Sequence, residues 1–364
     1  MPASNRVHLI LGYACNHHCR YCTQEINGRP TGVKKHISPK VVELLNKKAI
    51  SLFPNRLRIC FFGGEPLLYS HAIKEILAEV NQPNICWKIH SNGDLLTQDI
   101  VDLFNRHDVS FGLSHDGPNV LKTRGIDVLK DKNRIFLYNQ LKRKFIEVVI
   151  TSYSQNLYEI HDYFQNILGN DNWRFKPAFL INPSSVPLDM LNYDYEKWEI
   201  TVEQICQKAK EQILEGVTLD SSSWEAGLIG QTICDAILPV KENPFMRFSE
   251  RCSVPHIDLN GNLSFCELYE ARHKKGNVES SIEFFNFTKS NHPNCPNCLV
   301  FPYCHGQCPV EKMSHTPQHC RFLRTFYRHA FEVHDYLYRN APQALREALL
   351  VHLPHEFRAK NNLG

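Results

Sequence analysis

From residue 7 to about residue 180, short apolar, β-branched runs recur between longer stretches whose apolar positions fall at helical spacing. Val7–Tyr13, Leu57–Phe62, Cys86–His90, Val109–Ser114, Phe145–Thr151 and Trp173–Leu180 have the length and composition of strands. Between them Pro39–Leu52, His71–Val80 and Gln98–Arg106 read as helices, the first opened by Ser38 and the third by Thr97 at the N-cap position. Strands alternating with helices make βα units around a parallel sheet, and six of them make an open barrel rather than the closed eightfold one. The expected fold class is α/β, a partial (βα)6 barrel with functional residues at the strand C-terminal ends.

The pattern changes in the second half. Residues 183–245 carry Pro183, Pro187, Pro239 and Pro244 around a helical stretch, Tyr195–Glu215, and read as a bridging region. Residues 246–322 hold seven Cys, short strands and turns such as Asn260-Gly261-Asn262. From Arg321 to about His352 aromatic and charged residues recur at helical spacing, with Phe322, Phe326, Ala330, Val333 and Leu337 on one stripe, the pattern of a helix packed against a neighbour. The expected organisation is thus 1–182, 183–245, 246–322 and a helical tail over 323–364. No repeat or low-complexity segment interrupts it.

Charge narrows the partners. Lys and Arg number 41 against 38 Asp and Glu, a net of +3, which gives no support to nucleic-acid binding by bulk charge. Lys142-Arg143-Lys144 and the Arg272–Lys275 run read as solvated surface. Met1–Arg6 is short and polar, the apolar run Val7–Leu11 stops at Gly12, and no stretch approaches the roughly 18 apolar residues of a membrane span. A cytoplasmic protein with reduced thiols is the expectation. The unusual count is 14 Cys beside 19 His, and their spacing must decide between oxidation and metal binding.

Cys15, Cys19 and Cys22 lie on one loop directly after the first strand, spaced C-x3-C-x2-C. Three thiolates on a tight loop suit iron–sulfur or zinc, and spacing alone does not choose. A zinc site normally adds a distant second pair, whereas a four-iron cluster with three Cys keeps one iron open for chemistry. His17 and His18 read as spacers in this loop. Three further strand ends carry recognisable groups: Gly63-Gly64-Glu65-Pro66, Ser91-Asn92-Gly93, and Ser114-His115-Asp116-Gly117-Pro118.

With aromatic Tyr21 just before the last Cys, these four segments in order resemble the radical S-adenosylmethionine (SAM) superfamily. The resemblance implies that Cys15, Cys19 and Cys22 hold a [4Fe-4S] cluster. It also implies that Tyr21, Gly63, Gly64, Glu65, Ser91, Asn92, Ser114 and Asp116 surround S-adenosylmethionine. The glycine-rich turn would hold the methionine amino group by its backbone, a close approach that a chain without Cβ permits. The cofactor supplies the hard step, a 5′-deoxyadenosyl radical that abstracts hydrogen, and the protein supplies placement.

Cys252, Gly261, Cys266, Cys295, Cys298, Cys304, Cys308 and Cys320 resemble the SPASM extension of peptide-modifying members of that superfamily. This implies two auxiliary [4Fe-4S] clusters, one on Cys295, Cys298, Cys304 and Cys320 and the other on Cys252, Cys266 and Cys308, one ligand short. The short set has an open iron or takes an oxygen or nitrogen ligand, with Asp258 and His256 nearby in sequence. Glu267, next to Cys266, occupies the place of a proton-removing acid in sulfatase-maturing relatives. Cys60, Cys86, Cys206 and Cys234 fit no ligand pattern, and Cys60 and Cys86 read as small buried strand residues.

Auxiliary clusters that accept an electron favour a two-electron oxidation. The leading expectation is a maturase that crosslinks side chains in a ribosomal precursor peptide, served by a flavodoxin- or ferredoxin-type reductant. About six residues precede the first strand, so leader recognition would use another surface or a separate leader-binding protein. The alternative is an anaerobic sulfatase-maturing enzyme that oxidises Cys or Ser to formylglycine, against which stands the absence of an extra Cys in Ser253–Asn260. A non-enzymatic zinc-binding module is the third reading.

Overall fold

The structure, a computed structural model, describes residues 6–22, 36–52, 57–80, 82–169, 172–180, 186–216, 223–237, 256–264, 298 and 317–352. Its strands are β1 (Arg6–Gly12), β2 (Leu57–Gly63), β3 (Ile85–Ser91), β4 (Ser110–Ser114), β5 (Lys144–Ile150), β6 (Phe175–Phe179), β7 (His256–Asp258) and β8 (Leu263–Ser264). They form one sheet in the order β6-β5-β4-β3-β2-β1-β7-β8. Parallel pairings join β1 through β5 in sequence order, as alternating βα units require, and β7 to the free edge of β1. The β7–β8 pair is antiparallel, turning at Asn260-Gly261 with Gly261 at φ +86°. Six strands therefore follow the expected α/β pattern, and the β7–β8 hairpin, expected to belong to the cysteine-rich region, extends the same sheet.

The helices between strands are α1 (Pro39–Leu52), α2 (Ser70–Glu79), α3 (Gln98–Arg106), α4 (Val120–Thr123), α5 (Lys132–Gln140) and α6 (Leu157–Leu168). Thr97 sits at the head of α3, but its side chain makes no capping bond. At α5 and α6, by contrast, Asp131 and Asn156 do cap. The chain divides into two compact units. The first holds β1–β4, the start of β5, α1–α5 and the β7–β8 hairpin. Its core is an apolar sheet face carrying Leu9, Ile59, Phe61, Ile89 and Phe111, all fully buried. Phe104 of α3 and Tyr138 of α5 close over Phe111 with ring centroids 6.1 and 6.2 Å away.

The second unit holds the end of β5, α6, β6 and four further helices: α7 (Tyr195–Leu214), α8 (Trp224–Ile237), α9 (Pro317–Asn340) and α10 (Pro342–His352). The stripe Phe322, Phe326, Ala330, Val333 and Leu337 is buried along its whole length. Phe322 stacks on Trp198 of α7 at 4.0 Å between centroids, and Trp198 Nε1 donates to the Phe322 carbonyl at 3.0 Å. The tail expected as one helix is two, because Pro342 has no N–H to give and its ring excludes a continuous turn. Cys60, Cys206 and Cys234 are buried as small apolar residues, whereas Cys86 is only partly so. Among the described residues no helix is long and apolar enough to cross a membrane.

Candidate functional site

The end of β2 is pressed onto the start of the cysteine loop, and glycine is what allows it. A Cβ on Gly63 would stand 2.1 Å from the Gly12 carbonyl oxygen, and one on Gly64 would stand 2.3 Å from that of Ala14. Gly12 and Gly63 also have φ of +153° and +138°, where side chains are strained. Backbone bonds then fasten the two segments: Gly64 N donates to Gly12 O at 2.9 Å and Glu65 N to Ala14 O at 2.8 Å. The Tyr69 hydroxyl accepts from Ala14 N at 3.1 Å.

Cys15, Cys19 and Cys22 are partly exposed and in no disulfide. Their loop is braced from two sides. Asn16 donates to Asp94 Oδ2 at 2.9 Å and accepts from Asn92 Nδ2 at 2.8 Å, so the loop is tied to the turn after β3. Arg20 N donates to the Thr123 carbonyl at 2.9 Å, and Arg124 lies 3.9 Å from Cys19 Sγ with its guanidinium 5.3 Å from the Tyr21 ring centroid. His17 is buried, which lowers its pKa against the opposing pull of Asp94, while His18 is exposed.

Glu65 is fully buried and joins the glycine turn to the end of β3. Its carboxylate accepts from Ser91 Oγ, Asn92 N and Leu67 N, each at 2.8 Å. Burial pushes its pKa up to about 7 even though those donors favour the charged form. The side chains of Glu65 and Ser91 are therefore committed to each other, and what this turn offers a ligand is backbone. Ser114 ends β4 partly exposed. Asp116 is buried and accepts from Val149 N at 3.0 Å, and Gly117, at φ +77°, follows it where a Cβ would stand 2.9 Å from Ile160.

Of the second cysteine set only Cys298 and Cys320, both partly exposed, lie in the described part. Cys252, Cys266, Glu267, Cys295, Cys304 and Cys308 fall outside it. Asp258 is engaged by the hairpin turn, accepting from Asn260 N and Asn262 N at 2.8 Å each. His256 is buried, stacked on His8 at 4.9 Å, and burial lowers its pKa to about 4. Sequence reasoning missed Asp94, Tyr69 and Arg124. Asp94 follows directly on Ser91-Asn92-Gly93, a signal that was there to be used.

Residues 9–151 match the radical SAM superfamily. The chain carries a radical SAM domain. It is therefore an enzyme of a class that works with a [4Fe-4S] cluster and S-adenosylmethionine. Three thiols free of disulfides on one braced loop, held against a glycine turn that only a chain without Cβ can bring so close, fit that pair of ligands.

Among curated proteins, the chain is 23% identical over 342 residues to the radical SAM cyclopropyl synthase TigE of Paramaledivibacter caminithermalis, covering 83% of this chain and 67% of TigE. It is 29% identical over 147 residues to an uncharacterized protein of Methanocaldococcus jannaschii, covering 35% of this chain and 49% of that one. Two solved structures share its fold. One is anSMEcpe with bound AdoMet and the Cp18Cys peptide, at a TM-score of 0.66, with 18% identity over 92% of this chain and 99% of the other. The other is SuiB of Streptococcus suis bound to its precursor peptide SuiA, at a TM-score of 0.57, with 15% identity over 88% of this chain and 75% of SuiB.

Proposed function

We propose that this radical SAM enzyme removes a hydrogen from a residue of a ribosomally made precursor peptide and closes an intramolecular side-chain crosslink by oxidation. The observation that carries the reading is the likeness to TigE across 83% of the chain. A cyclopropyl synthase closes a ring, and ring closure by loss of two hydrogens is the two-electron chemistry that auxiliary clusters serve. SuiB and anSMEcpe, which share the fold, were each solved with a peptide bound.

Cys15, Cys19 and Cys22 would hold the [4Fe-4S] cluster, with S-adenosylmethionine beside it. Bound there, the cluster and S-adenosylmethionine supply the hydrogen-abstracting radical. The N–H groups of the cofactor's amine would need acceptors, and the Gly63-Gly64-Glu65 turn has already spent two of its own N–H groups on Gly12 and Ala14, so its carbonyls are the groups that suit it. Glu65 and Ser91 hold that turn in place, while Tyr21, Asn92, Ser114 and Asp116 are assigned to the cofactor's surroundings. Residues 246–322 are read as a SPASM domain with two further clusters, joined to the 1–182 barrel by 183–245 and followed by the 323–364 tail. A flavodoxin or ferredoxin would reduce the clusters, and a separate protein is a candidate for leader binding.

The test incubates the reconstituted, reduced enzyme anaerobically with S-adenosylmethionine and the peptide encoded beside it. A product lighter by two hydrogens, with the loss located to a crosslink, is expected; a peptide of unchanged mass sinks the reading. Glu267 beside Cys266 supports the second reading, formylglycine formation on a sulfatase. Turnover of a sulfatase-motif peptide in the same assay would reverse the order.

A further inference from the structure

The sheet of the first unit has a second face, and parallel register shows what it carries. His8 pairs with Cys60, Cys60 with Lys88, His90 with Gly112, Gly112 with Phe145 and Ser114 with Glu147. Registered neighbours in a parallel sheet point the same way, and residues two apart share a face. His8, Phe62, Lys88, His90, Phe145 and Glu147 therefore belong to the face opposite the apolar core.

On it His90 Nδ1 lies 2.6 Å from Glu147 Oε2, with the side chains 18% and 19% exposed. Phe62 and Phe145 stand edge-on to the imidazole, with centroids at 6.2 and 5.6 Å, and Lys88 Nζ lies 4.4 Å from the Phe145 centroid. Gly112 makes room for this group, since a Cβ there would fall 2.2 Å from Phe145 Cζ.

Position gives the group its meaning. His90 immediately precedes Ser91-Asn92, Phe62 immediately precedes Gly63-Gly64, and Glu147 is in register with Ser114. His90 thus lies one residue before an end assigned to the cofactor, and Glu147 lies level with another. A surface ion pair adds little to a fold, and partial burial charges desolvation against even that. Folding alone is a poor reason for a carboxylate–imidazole pair amid aromatic rings.

We propose that His90, positioned by Glu147, takes up the proton that the peptide residue sheds as it is oxidised. The inference rests on the peptide-crosslinking reading. Its balance is simple: joining substrate atoms C and X breaks a C–H and an X–H bond and forms C–X. One hydrogen leaves as an atom to the radical that the cofactor supplies, one electron goes to an iron–sulfur centre, and one proton goes to His90. Glu147 sets a carboxylate beside Nδ1 and so offsets the charge of the imidazolium. The other titratable groups that register places on this face are His8 on β1, Arg58 and Cys60 on β2, Cys86 and Lys88 on β3, and His256 and Asp258 on β7.

The test uses the cluster-loaded, reduced enzyme and a peptide that the wild type converts. Glu147→Gln and His90→Gln are expected to slow product formation by about tenfold or more, with partial recovery in Glu147→Asp. A base must be neutral to act, and the carboxylate favours its charged form, so the acid limb of the pH–rate profile should move to lower pH in Glu147→Gln. A slower variant with an unmoved limb would make the pair structural and overturn the proposal. A wild type that converts no peptide counts against the peptide reading alone. In that case diethylpyrocarbonate labelling of the holoenzyme, resolved at His90 by mass spectrometry, decides. Its pH midpoint should fall in Glu147→Gln, and an unchanged midpoint refutes the coupling.

Discussion

A buried carboxyl that bolts two motifs together leaves a mark on stability. The Glu65 pKa is raised by burial from its ordinary value near 4.5 to about 7. A group raised in this way contributes its full stability below the unfolded value and loses it as pH rises through the folded one. Between about pH 4.5 and 7 the wild type should therefore lose on the order of 2–3 kcal/mol through this group. Urea midpoints at pH 5 and pH 8 measure the loss, and Glu65→Gln should remove most of the slope while lowering stability at both pH values. Glu65 stood out in the sequence because it sits in a motif. Asp94 and Arg124 did not, because their partners Asn16 and Cys19 lie 78 and 105 positions away and only the fold brings them together. The His90–Glu147 pair was hidden for the same reason, since alternation along a strand shows which residues share a face but not which strand lies beside it.

Among the elements, the strands were the legible part. Their β-branched runs lie between turn residues, and β1 to β6 each fall within two residues of the expected strand at either end. The β7 strand escaped because three residues, His256-Ile257-Asp258, carry no periodicity of their own. The helical tail was legible as a stripe but not as two helices, although Pro342 was in plain view. The contact between the end of β2 and the loop after β1 gives the sharpest prediction at this scale. Gly64→Ala places a methyl group 2.3 Å from the Ala14 carbonyl oxygen, a backbone atom that cannot swing aside. A loss of about 2 kcal/mol or more is expected, read by urea unfolding, together with poor retention of iron on the cysteine loop. Normal stability and iron content in this variant would show that the two segments need not touch.

For the whole molecule, the surplus of thiols resolves into an inventory. Of 14 Cys, ten fall into the three proposed ligand sets, and Cys60, Cys206 and Cys234 are buried in the packing. Anaerobic reconstitution should load about twelve iron per chain, and the variant Cys15→Ala/Cys19→Ala/Cys22→Ala about eight. Values near four and zero would remove the auxiliary clusters and with them the SPASM assignment. The near-neutral charge of +3 agrees with a substrate recognised by shape and local polarity rather than by a strongly charged surface.

The placement of β7 also bears on how the protein comes to exist. Leu9 of β1 pairs with Phe61 on one side and with Ile257 on the other. The first partner leaves the ribosome soon after β1, but the second follows only when more than two thirds of the chain has been made. Until then the strand that leads into the cysteine loop presents an open edge, a template for mispairing with other chains. Slow, long-range closure of this kind predicts that synthesis in the cell will favour chaperone engagement of the N-terminal half, and that the cysteine loop reaches its final setting late in folding.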